Sequence, residues 1–147
     1  MIQEHKTRAE IIRDKVKISL ALDIQGKEIE KLLAETGVVI QGADWSKVFP
    51  YWLVAVVNNK VIGCIQVMPA IPVGWLEALT VSPSASFKFR AIAIRKLLAQ
   101  GLATLKLGGC QLACATVDIN NKKMKNVLDK MNCIKVCDAE ILVKNLA

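Results

Sequence analysis

Apolar and polar residues alternate with a helical spacing near the start of the chain. Over residues 7–22, six apolar side chains lie among charged ones, which predicts a first helix. A second helix is predicted over residues 27–36, after a break at Gly26, and Gly37 fits its C-terminal cap. Residues 38–50 are expected to be irregular, apart from a short strand offered by Val-Val-Ile at 38–40.

The middle of the chain changes to a strand pattern. Two runs rich in β-branched residues, 52–57 and 61–67, flank a turn-forming Asn-Asn-Lys cluster and predict a hairpin. A third strand is predicted over residues 73–81. Ser82-Pro83 ends it, because proline cannot donate a hydrogen bond to a neighbouring strand.

A long helix comes next. Ser86 is placed to cap it, and the helix is expected to run to about Leu107 and to end at Gly108-Gly109. Its apolar residues form a broad face suited to packing on a sheet. A strand over residues 111–117 follows.

The remaining elements complete the predicted fold. A helix is expected over residues 122–131, and two final strands over residues 134–136 and 141–143. Hairpins combined with a strand-helix-strand connection predict an α/β domain with a mixed, mostly antiparallel central sheet flanked by helices.

Composition predicts one globular domain over residues 1–147. Hydrophobic residues make up 53% of the chain and charged residues 22%, and no linker-like or repetitive segment interrupts it. No apolar stretch approaches the roughly 18 residues that a membrane span requires. The first residues lack the apolar region of a signal peptide, so we expect a cytoplasmic protein with no membrane partner.

The formal net charge of +7 favours an anionic partner: a nucleotide cofactor, a nucleic acid or an acidic protein surface. The basic residues are spread along the chain and form no long run. Only seven aromatic residues (three Phe, one Tyr and three Trp) are available to stack on bases. Nucleic acid therefore ranks last among these partners.

Five cysteines raise the question of a metal site or disulfides: Cys64, Cys110, Cys114, Cys133 and Cys137. Their number is odd, and nothing indicates an oxidising compartment. We expect all five to be free thiols, mostly buried as small hydrophobic side chains, and we expect no metal.

The third predicted strand ends in Leu79-Thr80-Val81-Ser82-Pro83, the pattern Leu-x-Val-x-Pro. With this motif, the stretch from Trp75 to Cys133 resembles the GNAT superfamily of N-acetyltransferases, which bind acetyl-CoA and in which the pattern ends the fourth strand. The resemblance implies that Leu79 and Val81 offer backbone groups to the pantetheine arm, because an extended ligand can bond a strand edge.

The phosphate-binding loop of the superfamily is altered in this chain. Its pattern, Gln/Arg-x-x-Gly-x-Gly/Ala, lets backbone N–H groups approach a pyrophosphate at a helix start. Residues 84–94 contain no glycine, and counting back from Leu97-Leu98 places Ile92 and Ile94 at the glycine positions. A register shifted by one residue would place alanines there. Lys88 and Arg90 are expected to compensate by direct charge pairing.

The last helix keeps the spacing of the superfamily but not its chemistry. Asn121 matches the asparagine of the superfamily pattern, while Leu128 stands where a tyrosine commonly acts as general acid. Asn132 replaces a glycine, which it can do because asparagine tolerates left-handed backbone conformations.

Amine acetylation needs a group that removes a proton from the ammonium. The superfamily positions for that group fall at Trp75 and Thr116, and Glu77 is the nearby carboxylate. Alternation along the strand predicts that Glu77 shares a face with Trp75, Leu79 and Val81. Glu77 is therefore the candidate base, against the alternative of a solvent-facing or paired carboxylate.

Two functions follow from the resemblance. The first is an acetyl-CoA-dependent N-acetyltransferase, in which an amine attacks the thioester directly. The second is a catalytically inactive GNAT-like binding or structural protein, similar to degenerate phage proteins of this type, some of them virion-associated. Under the second, the location is the host cytoplasm or the virion. Either leaves open a homodimer.

Overall fold

The computed structural model describes residues 6–37, 44–117 and 120–136. The chain forms two compact units, Met1–Thr116 and Val117–Ala147, which we call the sheet unit and the C-terminal unit.

Helices and strands are interspersed along the sheet unit. In chain order they are α1 (Arg8–Lys15), β1 (Lys17–Leu20), α2 (Gly26–Glu35), α3 (Trp45–Val48), β2 (Trp52–Val57), β3 (Lys60–Met68), β4 (Val73–Val81), α4 (Phe87–Leu107) and β5 (Leu112–Ala115). Short 3₁₀ turns at Asp23–Gln25 and Phe49–Tyr51 precede α2 and β2.

The described strands form a five-stranded sheet in the order β1-β2-β3-β4-β5. The first three pairings are antiparallel, and β4 and β5 are parallel because α4 connects them as a crossover. The predicted α/β fold with a mixed, mostly antiparallel sheet is confirmed.

The hairpin of β2 and β3 forms as the sequence predicts. Its turn residues Asn58 and Asn59 both have positive φ, 49° and 61°. Two consecutive left-handed residues define a turn whose twist matches that of the flanking strands, and asparagine tolerates this conformation better than most residues.

The first predicted helix is wrong beyond Lys15. Thr7 and Glu10 form a capping box that starts α1, but the chain becomes extended at Val16 and pairs with β2 as strand β1. Val16, Ile18 and Leu20 alternate with polar residues, which is a strand period. Because this segment hydrogen-bonds to β2, it adopts the strand conformation and not the helix that its looser helical pattern predicted.

Gly26 was predicted to break the chain between the first two helices, and in the structure it is the first residue of α2. A side chain at this position would collide with the ring of Trp45, so a glycine lets α3 pack directly on α2. Gly37 follows Thr36 after the end of α2, has φ of 87° and donates to the carbonyl of Ala34, which confirms it as the C-terminal capping glycine.

Residues 45–51 form helical turns where an irregular segment was predicted. Trp45 explains the difference: its indole packs against Trp52 with ring centroids 5.8 Å apart and donates to Glu30 Oε1 at 2.6 Å. Tertiary contacts therefore impose the local structure here. The predicted strand at 38–40 lies outside the described residues.

The long helix α4 matches the prediction at both ends. The Ser86 hydroxyl accepts a hydrogen bond from the Phe89 amide at 3.3 Å, and Gly109, with φ of 86°, follows the last turn. Buried apolar residues of α4, Leu97 and Leu105 among them, face the sheet.

Two glycines bring α4 close to β4. A Cβ atom at Gly101 of α4 would lie 2.8 Å from Leu76 Cδ2 of β4, and one at Gly74 of β4 would lie 2.9 Å from Leu105 Cδ1 of α4. Each glycine therefore accommodates the leucine of the opposite element. The helix axis lies nearer the strand than ordinary side chains would allow.

The end of the chain is only partly as predicted. Strand β5 covers residues 112–115, shorter than the predicted 111–117. Residues 134–136 contain no strand, contrary to prediction, and their side chains are exposed, so no burial supports one. The predicted strand at 141–143 lies outside the described residues.

The C-terminal unit contains α5 (Lys122–Lys130), close to its predicted bounds. Asn121 caps it by accepting from the Met124 amide at 3.0 Å. Asn132 has φ of 60°, as expected for a residue in a glycine position. Across the part of the chain that the structure describes, no helix is long and apolar enough to cross a membrane.

We expect Gly74→Ala to destabilise the protein by about 1–3 kcal/mol, because the added methyl group overpacks the contact with Leu105. Urea denaturation measures the change. The control is the same substitution in a Leu105→Ala background, where space exists and the methyl group should cost little. An equal loss in both backgrounds would contradict the packing argument.

Candidate functional site

One edge of β4 carries backbone groups that no described strand pairs with. The Ser82 amide donates to the carbonyl of Ile62 at 2.7 Å, and Thr80 lies opposite Cys64 in the ladder with β3. Antiparallel strands bond through alternate residues, so the residues between these point their N–H and C=O groups away from β3. Val81 is in that position, and Leu79 precedes Thr80 on the same outward side.

Strand β5 does not cover this edge. Its parallel pairing with β4 runs from Val73–Leu112 to Leu76–Ala115 and stops there. Within the described residues of the sheet unit, no strand pairs with β4 beyond Leu76 on that side. The sequence-predicted pair, Leu79 and Val81, therefore presents its backbone at an open edge.

A β-bulge at Ala78 separates the two halves of β4. Glu77 lies opposite Gln66 and Thr80 opposite Cys64, so two residues of β4 face one residue of β3. Ala78 has φ of 51°, an uncommon value for a residue with a side chain. The bulge bends the strand at the point where β5 ceases to pair with it.

The bulge changes which residues of β4 share a face with Glu77. Met68 opposite Trp75 and Gln66 opposite Glu77 put Trp75 and Glu77 on one face, as predicted. The extra residue reverses the alternation, so Val81 points to the opposite face, and the prediction that Glu77 shares its face with Val81 is wrong.

Glu77 is held by a residue of the neighbouring strand end. Thr116 Oγ1 donates to Glu77 Oε1 at 3.2 Å, directly after the last backbone pair of β4 and β5. The contact joins the two strands on which the superfamily resemblance looks for a base. Trp75 is 38% exposed on the same face of β4, where an aromatic surface is open to a ligand.

Helix α4 begins immediately after the open edge of β4. Its Phe89 amide bonds the Ser86 hydroxyl and its Arg90 amide bonds the Ser86 carbonyl. Among the described hydrogen bonds, none uses the amides of Phe87 and Lys88. The first turn therefore offers two backbone donors, the positive end of the helix dipole and the exposed Lys88 side chain.

The predicted glycine positions have a different environment. Ile92 and Ile94 lie inside α4, beyond its first turn, where amides bond the helix itself. They cannot act as a phosphate-binding loop. Arg90 is half-buried, and its Nε is buried without a hydrogen-bond partner in the structure.

Asn121 is placed by the structure at the start of α5, in the C-terminal unit. Its side-chain oxygen is used as a helix cap. Leu128, at the position of the superfamily tyrosine, is a half-buried apolar residue of the same helix.

The described cysteines are free: Cys64, Cys110, Cys114 and Cys133. Cys64 is fully buried, Cys110 and Cys114 are half-buried and Cys133 is exposed, so fewer are buried than predicted; Cys137 lies outside the described residues. Burial raises the pKa of the Cys64 thiol to about 12, which keeps it protonated and unreactive. The described residues contain no cluster of metal-binding side chains.

Comparison with solved structures identifies the fold. An aminoglycoside acetyltransferase from an uncultured soil metagenomic sample, solved with trehalose, matches with a TM-score of 0.70 at 15% identity over 92% of this chain and 99% of that chain. The chain has a GNAT-like fold. A transcriptional regulator from Bacillus halodurans C-125 matches with a TM-score of 0.69 at 12% identity, covering 88% of this chain and 99% of that one.

A further GNAT-like match is an aminoglycoside N-acetyltransferase solved in complex with CoA. Its TM-score is 0.66 at 13% identity, and the match covers 90% of this chain and 95% of that chain. No protein-family model and no curated protein matches the sequence. Structural similarity at sequence identities of this size establishes the fold alone.

The bulge, which reorients the site, has no direct signal in the sequence. Alanine rarely adopts positive φ, so Ala78 offers no turn-forming signal. The Thr116–Glu77 contact was also missed, because it joins residues 39 positions apart. A break in the alternation of apolar and polar positions at Glu77-Ala78-Leu79 is the one trace that the sequence carries.

The raised pKa of Cys64 predicts a pH-dependent loss of stability. Above its ordinary value of 9.0 the unfolded thiol ionises while the folded thiol keeps its proton, so unfolding releases a proton. The free energy of unfolding should fall by about 1.4 kcal/mol per pH unit between pH 9 and 12 from this group.

Urea denaturation from pH 8 to pH 10.5 measures this effect as the difference between the wild type and Cys64→Ala. That difference should shrink as pH rises, whereas Cys133→Ala, at an exposed thiol, should follow the wild type. Parallel curves for wild type and Cys64→Ala would contradict the assignment.

Proposed function

We propose that the protein is an acetyl-CoA-dependent N-acetyltransferase that transfers an acetyl group to an amine. The observation that carries this proposal is the open edge of β4, exposed by the bulge at Ala78 and by the end of β5 pairing, and leading directly into the start of α4. An extended ligand that ends in phosphates fits this order, in which strand backbone comes first and the amides at a helix start come next.

The residues present fit coenzyme A in two places. Leu79 and Val81 would bond the amide groups of its pantetheine arm as an added strand does. The amides of Phe87 and Lys88 would face its pyrophosphate, with the cationic side chains of Lys88 and Arg90 replacing the missing glycine loop. The CoA complex of a GNAT-like neighbour supports this assignment.

When bound, the thioester supplies an activated acetyl group. Glu77 is the carboxylate of this chain that would accept the proton of the attacking amine, held in position by the Thr116 hydroxyl. A backbone N–H near Val81 would donate to an oxygen that gains negative charge during transfer. Trp75 provides an exposed aromatic surface for the acceptor on the face of Glu77.

A second function is favoured by the start of α4. No glycine is present there, Ile92 and Ile94 are helical, and Leu128 has no proton to donate. These features support a GNAT-like binding or structural protein without catalysis, of the phage-associated type that the sequence resembles. Measured binding of acetyl-CoA separates the two.

We expect acetyl-CoA and CoA to raise the melting temperature of the protein in proportion to the logarithm of ligand concentration. Val81→Pro removes the outward N–H without removing a bond to β3, and should weaken binding about tenfold. Val81→Thr keeps the amide and is the matched control. Isothermal titration calorimetry gives the dissociation constants.

The double variant Lys88→Ala/Arg90→Ala tests the pyrophosphate contacts. It should bind CoA more weakly than Val81→Pro does, and its affinity for CoA should depend less on salt than that of the wild type. Absence of any thermal shift at millimolar acetyl-CoA would reject the enzyme and favour the binding or structural protein. Equal affinity of Val81→Pro and Val81→Thr would reject the strand-edge assignment.

Glu77→Gln should lower the rate of acetyl transfer about 10²–10⁴-fold while leaving CoA affinity unchanged, because the amide cannot accept the proton. The measurement is thiol release from acetyl-CoA with a panel of primary amines. Glu35→Gln, at an exposed carboxylate of α2, is the control. An unaffected rate in Glu77→Gln would remove this residue from the mechanism.

A further inference from the structure

Strand β1 forms one outer edge of the sheet. Strand β1 lies at the end of the strand order, and none of the described residues pairs with its outer side. The Ala21 amide donates to the Trp52 carbonyl at 2.9 Å, so odd-numbered residues of this segment bond β2. Ile18 and Leu20 therefore direct their N–H and C=O groups outward.

A cleft of about 630 Å³ lies beside Ile18, between β1, the end of α1 and helix α4. Lys96 of α4 lines it, donating from Nζ to the carbonyl oxygens of Arg13 at 2.8 Å and Val16 at 2.7 Å. An ammonium group has three N–H donors, so one remains for a ligand. Gln100 of α4 lines the same cleft.

The charge balance of this cleft is positive. Lys17 and Lys96 line it together with one acidic residue, Asp14. The Asp14 carboxylate is already paired with Lys6 at 2.7 Å. Its negative charge is thereby offset, and the cleft favours an acidic side chain.

A smaller, apolar cleft of about 100 Å³ lies beside Leu20. Leu53, Val67 and Pro69 line it, together with Thr104 of α4. Leu20 is 55% exposed. Both clefts lie where β1 meets α4, one lined by Ile18 and the other by Leu20, two residues apart on one strand face.

We propose that the β1 edge binds an extended acidic peptide by strand addition. The bound strand bonds the outward groups of Ile18 and Leu20, places an acidic side chain in the cleft beside Lys96, and places an apolar side chain two positions along in the cleft beside Leu20. Main-chain bonds hold the peptide, and the two clefts select its sequence.

Charge favours such a peptide over a second copy of this chain at the same edge. The chain carries a formal net charge of +7, and pairing β1 with the β1 of another copy would bring the lysines of both edges together. Like charges placed close together disfavour association. An acidic partner gains from the same lysines.

The test uses the full-length protein and the fluorescein-labelled peptide Thr-Val-Glu-Val-Leu-Thr, with Thr-Val-Lys-Val-Leu-Thr as the basic control. Fluorescence anisotropy should show saturable binding of the acidic peptide and binding of the basic peptide that is at least about threefold weaker. Amide hydrogen exchange should slow at Ile18 and Leu20 on binding, with no matching change at Ser19, which already bonds β2.

Two sets of variants locate the site. Ile18→Pro removes an outward N–H while keeping the bonds of β1 to β2, and should weaken the acidic peptide about tenfold, whereas Ile18→Val should not. Gln100→Lys should strengthen binding of the acidic peptide about threefold, and Gln100→Glu should weaken it about threefold. For the basic peptide, Gln100→Glu should strengthen binding and Gln100→Lys should weaken it. Melting temperatures show that each variant is folded.

Three results would overturn the proposal. The first is no saturable binding at millimolar acidic peptide, and the second is equal binding to Ile18→Pro and Ile18→Val. The third is a concentration-dependent dimer, seen by analytical ultracentrifugation and abolished by Ile18→Pro, which would assign the edge to a second copy. None of these measurements depends on acetyl-CoA, so they are independent of the proposed transferase activity.

Discussion

The close contact between α4 and β4 is the constraint on which the candidate site depends. Leu76 packs against Gly101 and Leu105 against Gly74, so helix and strand approach each other through two reciprocal pairs. This contact fixes the crossover that makes β5 parallel to β4. It also fixes where α4 starts, because the 21-residue helix is anchored along its length by its buried face.

The strand pairing of β4 changes at the bulge. At Trp75 and Leu76 the strand pairs with both β3 and β5; after Ala78, β3 is its one partner among the described strands. The bulge therefore converts a central strand into an edge strand within a few residues, immediately before the N-terminus of α4. Open backbone, helix dipole and basic side chains follow one another along the chain, which is the arrangement that supports binding of an extended anionic ligand.

The two open edges, at β4 and at β1, have the same physical origin. In each case a strand pairs on one side only among the described residues, and alternate residues have outward N–H and C=O groups. They differ in their surroundings: the edge of β4 leads to a helix start, whereas that of β1 borders two clefts against α4. The net charge of +7 favours anionic ligands at both.

The sequence by itself determined the elements whose signals are local. The hairpin, β4, the caps of α4 and the left-handed Asn132 follow from strand alternation, capping residues and turn-forming asparagines. A resemblance at the level of sequence also made Leu79 and Val81 candidate site residues, and that assignment stays a prediction. Only the tertiary structure decided that residues 17–20 form a strand, that Ala78 adopts positive φ and that Thr116 reaches Glu77. These features depend on hydrogen bonds and packing between segments far apart in the chain, whose energies outweigh the small local preferences.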